Sequence, residues 1–296
     1  MANFLEIKTE LNTYLRFIKE LWMSEIYIST SCLKGTGDLQ EILEAYSAHG
    51  IEKVELSGGL EYTPNVVGLL NNHPRMNFII HNYFPPPREP FIMNLAAQDE
   101  GVREKSVAVC RRAMDLCSQF GCSLYSFHPG FRVESTLGLN FALSSIDLVP
   151  YDVAFSKFTQ SIEEISAYAR SRGVKVALEN LEHQNEAYMM TRPEEFEKFQ
   201  KIFPEVGVLL DLGHLKIASR RFGFQEKDLL RAVKDNIVEV HIHENNGEKD
   251  LHLEPLRSAM MSGLERLECE TVVLECHGLN MERIILNLRA LEKACI

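Results

Sequence analysis

The segment VEVHIHENNGEKDLHLEP, residues 238–255, carries three histidines and five acidic side chains. Imidazole and carboxylate groups are the ligands that Zn²⁺, Mn²⁺, Co²⁺ and Fe²⁺ take in proteins. Similar groups recur elsewhere in the chain, each at the end of a short apolar run. They are His81, His128, Glu179, Asp211, His214 and Glu275, and within the segment itself His241 and His243 have the same placement. This repeated placement predicts a metal site assembled from the ends of several elements.

The elements that must position these side chains alternate between two types. From Ile26 onward, short β-rich runs are separated by longer amphipathic segments, about eight times over. The runs are IYISTS, KVELSG, NFIIHNY, SLYSFHPG, VKVALENL, VGVLLDLGH, VEVHIHENN and TVVLECHG. Strands that alternate with helices predict a parallel sheet, and eight units in roughly 270 residues favour a closed (β/α)8 barrel, the TIM barrel, over an open sheet. We therefore expect an α/β protein with one barrel domain, residues 23–296.

Residues 1–22 precede this domain and have a helical pattern of their own. Phe4, Leu11, Leu15 and Ile18 recur at helical spacing, and a second methionine, Met23, follows. We predict a short N-terminal helical extension that packs on the barrel or that is not part of the native protein. Its apolar face could cap the barrel floor or pair with another chain.

The phase of the strands predicts which acids face the barrel interior. Side chains two apart in a strand share a face, so Glu179, Asp211 and Glu275 point inward while Leu178 and Leu210 face the helices. Active sites of such barrels lie at the C-terminal ends of the strands. Carboxylates crowded there would repel one another unless cations neutralised them. We predict one or two divalent ions, Zn, Mn, Co or Fe, with three as the alternative.

The order H…HPG…EN…D-x-x-H…H…D-x-H…E at the strand ends resembles the xylose-isomerase-like barrel superfamily, which includes endonuclease IV and many sugar isomerases and epimerases. The resemblance covers almost the whole chain from Met23. Its most specific pieces are FHPG (127–130), LEN (178–180), DLGH (211–214) and DLH (250–252). It implies nine metal ligands: His81, His128, Glu179, Asp211, His214, His241, Asp250, His252 and Glu275.

The resemblance also implies roles. Glu179 and Glu275 would bind the metal and act as the catalytic pair, one removing a proton next to a carbonyl and the other returning it. The metal would act as a Lewis acid on that carbonyl. His214 would contact the substrate or hold a second ion, and His243 is interpreted as a substrate contact or as a group behind the ligands. Lys216 and Arg220 are further candidate substrate contacts, suited to a sugar phosphate.

Two enzymatic activities stay open at this point. All nine ligand positions of endonuclease IV are filled, which keeps a zinc-dependent AP endonuclease, a phosphodiester hydrolase, as the alternative. Three segments depart from its DNA-contacting loops: HNYFPPPREPFIMNL, NLEHQNEAYMM and ENNGEKDLHLEPL. We therefore favour a metal-dependent isomerase or epimerase of a small sugar or sugar phosphate. A metal-binding barrel without catalysis is the third interpretation.

Composition argues against some partners. The formal net charge of −11 and the pI near 5.5 give no basic surface for nucleic acid or an anionic membrane. Seven cysteines without a C-x-x-C pair predict reduced thiols in a cytoplasmic protein. No apolar run is long enough to span a bilayer. A homo-oligomer stays open.

Overall fold

The computed structural model describes residues 24–133, 148–182, 186–256 and 269–295. These ranges contain eight strands: β1 Glu25–Ser29, β2 Lys53–Leu56, β3 Asn77–His81, β4 Leu124–Phe127, β5 Lys175–Glu179, β6 Gly207–Asp211, β7 Ile237–Ile242 and β8 Thr271–Leu274. They also contain eight α-helices: α1 Leu39–Ala48, α2 Val66–Asn71, α3 Glu100–Phe120, α4 Tyr151–Arg172, α5 Pro193–Ile202, α6 Leu212–Phe222, α7 Glu226–Val233 and α8 Met281–Ala294.

The strands form a closed barrel in the order β1 to β8, and every pair is parallel. The predicted (β/α)8 barrel is therefore confirmed. The predicted N-terminal extension, residues 1–22, lies outside the described residues, so the domain boundary at residue 23 stays a prediction.

The two longest helices begin and end where the sequence indicates. The Asp99 side chain accepts a hydrogen bond from the Val102 backbone N–H at 3.0 Å and caps the start of α3. Helices α3 and α4 end at Gly121 and Gly173, both at φ +67°, where a residue with a Cβ would be strained. Among the helices of the described ranges, none is both long and apolar enough to cross a membrane.

The inside of the barrel changes from apolar to polar along the strands. Six inward side chains form an apolar layer: Tyr27, Ile79, Leu124, Ala177, Leu209 and Val273. Leu178, Leu210 and Leu274 instead join the core between sheet and helices, which confirms the predicted phase. Two residues further along β5 and β6 from Ala177 and Leu209 come Glu179 and Asp211, both buried. The apolar layer thus forms a floor beneath the polar mouth.

Candidate metal centre

All nine predicted ligands lie at the C-terminal mouth of the barrel. They fall into groups of three or four histidines and acids whose ligand atoms lie within 4.8 Å of one another. Strands β3, β5 and β6 end at His81, Glu179 and Asp211, whereas His128 and Glu275 lie one residue beyond β4 and β8. His243 joins two of these groups, although the sequence did not assign it as a ligand.

We call Glu179, Asp211, His241 and Glu275, which lie at or just beyond the ends of four consecutive strands, the central group. Its members are divided among three of the close groups: Glu179 with Asp211 and His214, Asp211 with His243 and Glu275, and His241 with Glu55 and His81. Asp211 and His241 are paired in register across β6 and β7. Nδ1 of His241 lies 3.0 Å from Glu275 Oε2 and 4.0 Å from Asp211 Oδ2. Three carboxylates and one imidazole make a donor set that suits a divalent transition ion.

The outer group consists of His81, His128 and Glu179. Nε2 of His128 lies 2.8 Å from Glu179 Oε2, and Nε2 of His81 lies 3.4 Å from the same oxygen. Nδ1 of His81 is 3.0 Å from the Ser126 hydroxyl, which fixes the ring with Nε2 toward Glu179. Glu179 therefore belongs to the central and the outer groups.

The loop group consists of His214, His243, Asp250 and His252. Asp250 Oδ2 lies 2.8 Å from His252 Nε2 and 3.3 Å from His214 Nε2. Asp250 Oδ1 lies 3.7 Å from His243 Nε2. His214 lies in α6, whereas His243, Asp250 and His252 lie in the segment after β7. This group therefore joins the segments that follow two neighbouring strands.

The neighbouring histidines do not satisfy all the buried carboxylate oxygens of these groups, and a metal ion would. Among the described residues, neither Glu179 oxygen accepts a hydrogen bond of normal geometry, even though His128 Nε2 lies 2.8 Å away. Asp250 Oδ1 is buried and likewise lacks a hydrogen-bond partner in that part of the chain. Buried carboxylate oxygens without donors are costly unless a cation satisfies them. We infer that the donor set suits divalent ions.

The electrostatics of the metal-free site are those of mutually paired histidines and acids. Burial alone would raise the pKa of the Glu179 carboxyl, but His128 and His214 hold this pKa well below its usual range. Burial opposes the charge of His252 as well, yet Glu275 and Asp250 raise its pKa to about 9. Each proton held by such a histidine must leave when a metal ion takes its place.

The central group rests on buried acids that the sequence prediction missed. Glu55 and Glu239 are fully buried, and they lie 2.8 Å and 3.5 Å from His241 Nε2. Burial raises the pKa of the Glu55 carboxyl to about 7 although His241 opposes this shift. A signal existed, because Glu55 alternates with Val54 and Leu56 and so has the inward phase.

One further acid at the mouth was also missed. Glu182 comes three residues after Glu179 and is 6% exposed, and its Oε2 lies 3.6 Å from His214 Nε2. Burial raises the pKa of Glu182. Because Glu182 lies beyond the end of β5, strand alternation could not indicate its direction.

The predicted substrate contacts Lys216 and Arg220 both bind the loop after β7. Lys216 Nζ contacts the Glu244 carboxylate and donates to the Asn245 carbonyl at 2.8 Å. Arg220 Nη1 donates to the Asn246 carbonyl at 2.8 Å. Both cations therefore hold the loop that carries Asp250 and His252. Their substrate contacts stay a prediction.

Two sequence signatures acquire a physical reason at the junction of β5 and β6. Asn180 of LEN donates to the Asp211 carbonyl at 3.0 Å and accepts from the Asp211 N–H at 2.8 Å. The Asp211 side chain in turn accepts from the His214 N–H at 2.6 Å and caps the start of α6. One network therefore fixes both Asp211 and His214.

Comparisons with known proteins agree with this architecture. A family model described as xylose isomerase-like TIM barrel matches residues 39–272. An uncharacterized protein of Methanocaldococcus jannaschii is 28% identical over 162 residues, which cover 54% of this chain and 51% of that protein. The chain thus spans about half the length of the curated relatives it matches first.

Solved structures show the fold over almost the full chain. A D-tagatose 3-epimerase-like protein superposes with a TM-score of 0.70 at 18% identity, covering 91% of this chain and 96% of that one. Endonuclease IV from Thermus thermophilus superposes with a TM-score of 0.55 at 18% identity, covering 91% and 97%. At such identities the similarity supports the fold alone.

Proposed function

Because the chain belongs to the xylose isomerase-like TIM barrel family, we propose that it is a divalent-metal-dependent isomerase or epimerase of a small sugar or sugar phosphate. One observation carries this proposal. Glu179 and Glu275 reach the central group from β5 and from just after β8, and Asp211 and His241 come from the two strands between them. Carboxylates that flank an ion bound among these four residues would suit proton removal and proton return.

The residues of the chain divide the chemistry among themselves. A divalent ion in the central group would supply Lewis-acid polarisation of a carbonyl oxygen. Burial raises the pKa of Glu275, but His241 and His252 outweigh burial and lower it. Glu179 has a lowered pKa for a similar reason. Both carboxylates are therefore ionised at neutral pH, so either can accept the proton next to the carbonyl. The carboxyl group formed in this way can return that proton, and return from the opposite glutamate requires that this glutamate first take up a proton from solvent.

Solvent reaches the groups unevenly, which indicates the side of substrate entry. The side chain of His128 is 30% exposed and that of Asp250 is 14% exposed, whereas that of Glu179 is 1% exposed. A small polyol can enter along His128 and still meet a dry Glu179. Exclusion of water around the base favours proton transfer to the substrate carbon.

Within the described ranges, several cations near the mouth are engaged by the protein's own loops. The predicted substrate contacts Lys216 and Arg220 donate to loop carbonyls, and Arg132 donates to the carbonyls of Val149 and Glu186. Duplex binding depends on free Lys and Arg that neutralise phosphates. The alternative, an endonuclease IV-like phosphodiester hydrolase, is supported by the nine ligand types and by their gathering into several close groups at one mouth.

A direct comparison of substrates tests the proposal. The protein, loaded in turn with Zn²⁺, Mn²⁺ and Co²⁺, is screened against aldoses, ketoses and their phosphates, and against a duplex that contains an abasic site. We expect interconversion of at least one sugar pair and no incision at physiological salt. Incision of the duplex without sugar turnover would favour the phosphodiester hydrolase over the isomerase. If the protein showed neither activity, the result would favour a metal-binding protein without catalysis.

A further inference from the structure

The four candidate ligand atoms of the loop group lie within 4.8 Å of one another, close enough to surround one ion. Tetrahedral Zn²⁺ with bonds of 2.0–2.2 Å separates its ligand atoms by roughly 3.4 Å. The distances from the Asp250 oxygens to the Nε2 atoms of His252, His214 and His243 are 2.8, 3.3 and 3.7 Å. These values bracket the tetrahedral separation. The last distance is too long for a hydrogen bond but suits two ligands of one ion.

The rings of two of these histidines are held in the orientation that a metal site needs. His214 Nδ1 lies 3.0 Å from the Asn180 carbonyl, and His252 Nδ1 lies 2.8 Å from the Glu275 carbonyl. A backbone carbonyl can accept a hydrogen bond but cannot donate one. Each ring therefore carries a proton on Nδ1 and presents Nε2 to Asp250. Metal-binding histidines are commonly oriented in this way.

His243 is the ligand that completes the set. Its side chain is fully buried and stacks on His252 with ring centroids 4.0 Å apart. Its Nδ1 has no hydrogen-bond partner among the described residues, so Nε2 is the nitrogen that faces the other groups. Nε2 lies 3.1 Å from both Asp211 oxygens as well as 3.7 Å from Asp250 Oδ1. In the absence of an ion the ring can donate to Asp211.

We propose that His214, His243, Asp250 and His252 form a closed, four-ligand structural site for a divalent transition ion such as Zn²⁺. Three protein ligands leave a position open for water or substrate, whereas four ligands fill a tetrahedral ion. The ion in the loop group therefore fixes the loop after β7 to α6 and does not touch the substrate. With no open position, this ion cannot bind a phosphodiester oxygen.

This inference rests on the metal dependence of the proposed function and is independent of its sugar chemistry. Its test accordingly measures metal content and coordination, not turnover. The full-length protein is loaded with Co²⁺, dialysed against a moderate chelator, and analysed for bound metal and for visible absorption. Four-coordinate Co²⁺ absorbs far more strongly in the visible range than five- or six-coordinate Co²⁺. We expect one retained ion per chain with the strong absorption of the four-coordinate state.

Two variants identify the ligands, and a third is a matched control. His243→Gln should weaken retention of that ion by roughly 100-fold and reduce its absorption, and Asp250→Asn should abolish retention. His277→Gln should change neither, because His277 stacks on His252 at 4.1 Å but belongs to none of the groups. Circular dichroism in excess metal shows whether each variant is folded. The Asp250 side chain is 14% exposed whereas that of His243 is fully buried, so Asp250→Asn disturbs the packing less.

Several outcomes would overturn the proposal. Unchanged retention and absorption in His243→Gln would reduce His243 to a donor to Asp211. Weak, high-coordinate absorption in the unsubstituted protein would show an open site. If the ion is retained as expected but no sugar is turned over, only the proposed function fails. If sugars are turned over but no four-coordinate ion is retained, only this inference fails.

Discussion

Glu179 and Glu275 have the greatest weight of any residues in the proposed reaction. We predict that Glu179→Gln and Glu275→Gln each lower kcat by about 10²–10⁴-fold, since an amide cannot accept the substrate proton. Isomerisation kinetics at saturating metal measure this effect. Glu248→Gln is the matched control, because Glu248 is exposed on the loop after β7 and lies outside the metal groups. Near-normal turnover in either active-site variant would contradict the assigned roles.

We infer that Glu55 influences the proposed metal site through His241. Its carboxylate lies 2.8 Å from His241 Nε2, which leaves Nδ1 for the central group. Carboxylates behind a histidine ligand strengthen metal binding by about 10–100-fold. We predict that Glu55→Gln weakens the ion of the central group by about tenfold, because the amide oxygen still accepts the hydrogen bond without its charge. Competition titration with a metal indicator measures this change.

The control for Glu55 is an acid of the same type on the outside of the barrel. Glu25→Gln removes an exposed carboxylate that pairs with Lys53, and it should leave metal affinity unchanged. An unaltered affinity in folded Glu55→Gln would show that Glu55 only fills the barrel interior.

Some of the site residues could be predicted from the sequence and others could not. Glu179 and Asp211 were predictable from the strand alternation, because a period of two fixes the inward face whatever surrounds it. Glu55 obeys the same rule, but it lies inside β2 and not beyond its C-terminal end, where the active site of a barrel is expected. Asp250 and His252 lie on a loop, where no periodicity applies, so only the family resemblance indicated them. The position of His243 against Asp250 depends on a close backbone approach that no local pattern encodes.

That close approach belongs to an element, the first turn of α6. A Cβ at Gly213 would lie 2.1 Å from His243 Cε1 and 2.5 Å from its Nε2. Gly213→Ala must therefore push the His243 ring away or move the start of the helix. We predict a loss of stability of about 1–3 kcal/mol, typical of overpacking, together with weaker metal retention in the loop group. Denaturant unfolding and metal analysis measure the two effects.

A matched glycine distinguishes this effect from a general intolerance of alanine. A Cβ at Gly58 would have its nearest neighbour, Tyr83 Cβ, at an ordinary 3.7 Å, so Gly58→Ala should change neither stability nor metal content appreciably. If Gly213→Ala retained both the stability and the ion, the start of α6 would be free to shift. The close packing of DLGH would then have no functional consequence.

At the scale of the whole molecule, the barrel buries acids and histidines close together, at an electrostatic cost that a bound metal ion would offset. The metal-free mouth is stabilised by ion pairs whose histidines have raised pKa values. For His252, burial opposes the proton, but Glu275 and Asp250 raise the pKa to about 9 from an unfolded value near 6.5. His214 and His241 are also buried, yet their neighbouring carboxylates raise both pKa values.

The direction of the pH dependence follows from these shifts. A histidine with a raised pKa stabilises the fold fully below pH 6.5, and this contribution is lost as the pH rises toward 9. The contributions of Asp250 and Glu275, whose pKa values are lowered, are present throughout this range because they are lost only in acid. A carboxyl with a raised pKa, such as Glu55 at about 7, adds a loss of the same sign as the pH rises.

We predict that the free energy of unfolding of the metal-free protein falls by about 2 kcal/mol between pH 6.5 and pH 8 through His252 alone. Urea unfolding in chelator measures it. The range stops at pH 8 because burial raises the pKa of thiols such as Cys32 to about 12, which adds a loss of stability once unfolded thiols ionise.

Saturating Zn²⁺ should flatten the profile, since bound imidazoles carry no titrating proton. In chelator, His252→Gln should remove the His252 part of this fall and leave the part that comes from His214, His241 and Glu55, whereas His277→Gln should leave the fall unchanged. A metal-free protein that is as stable at pH 8 as at pH 6.5 would show that the folded state does not raise the pKa values of these histidines.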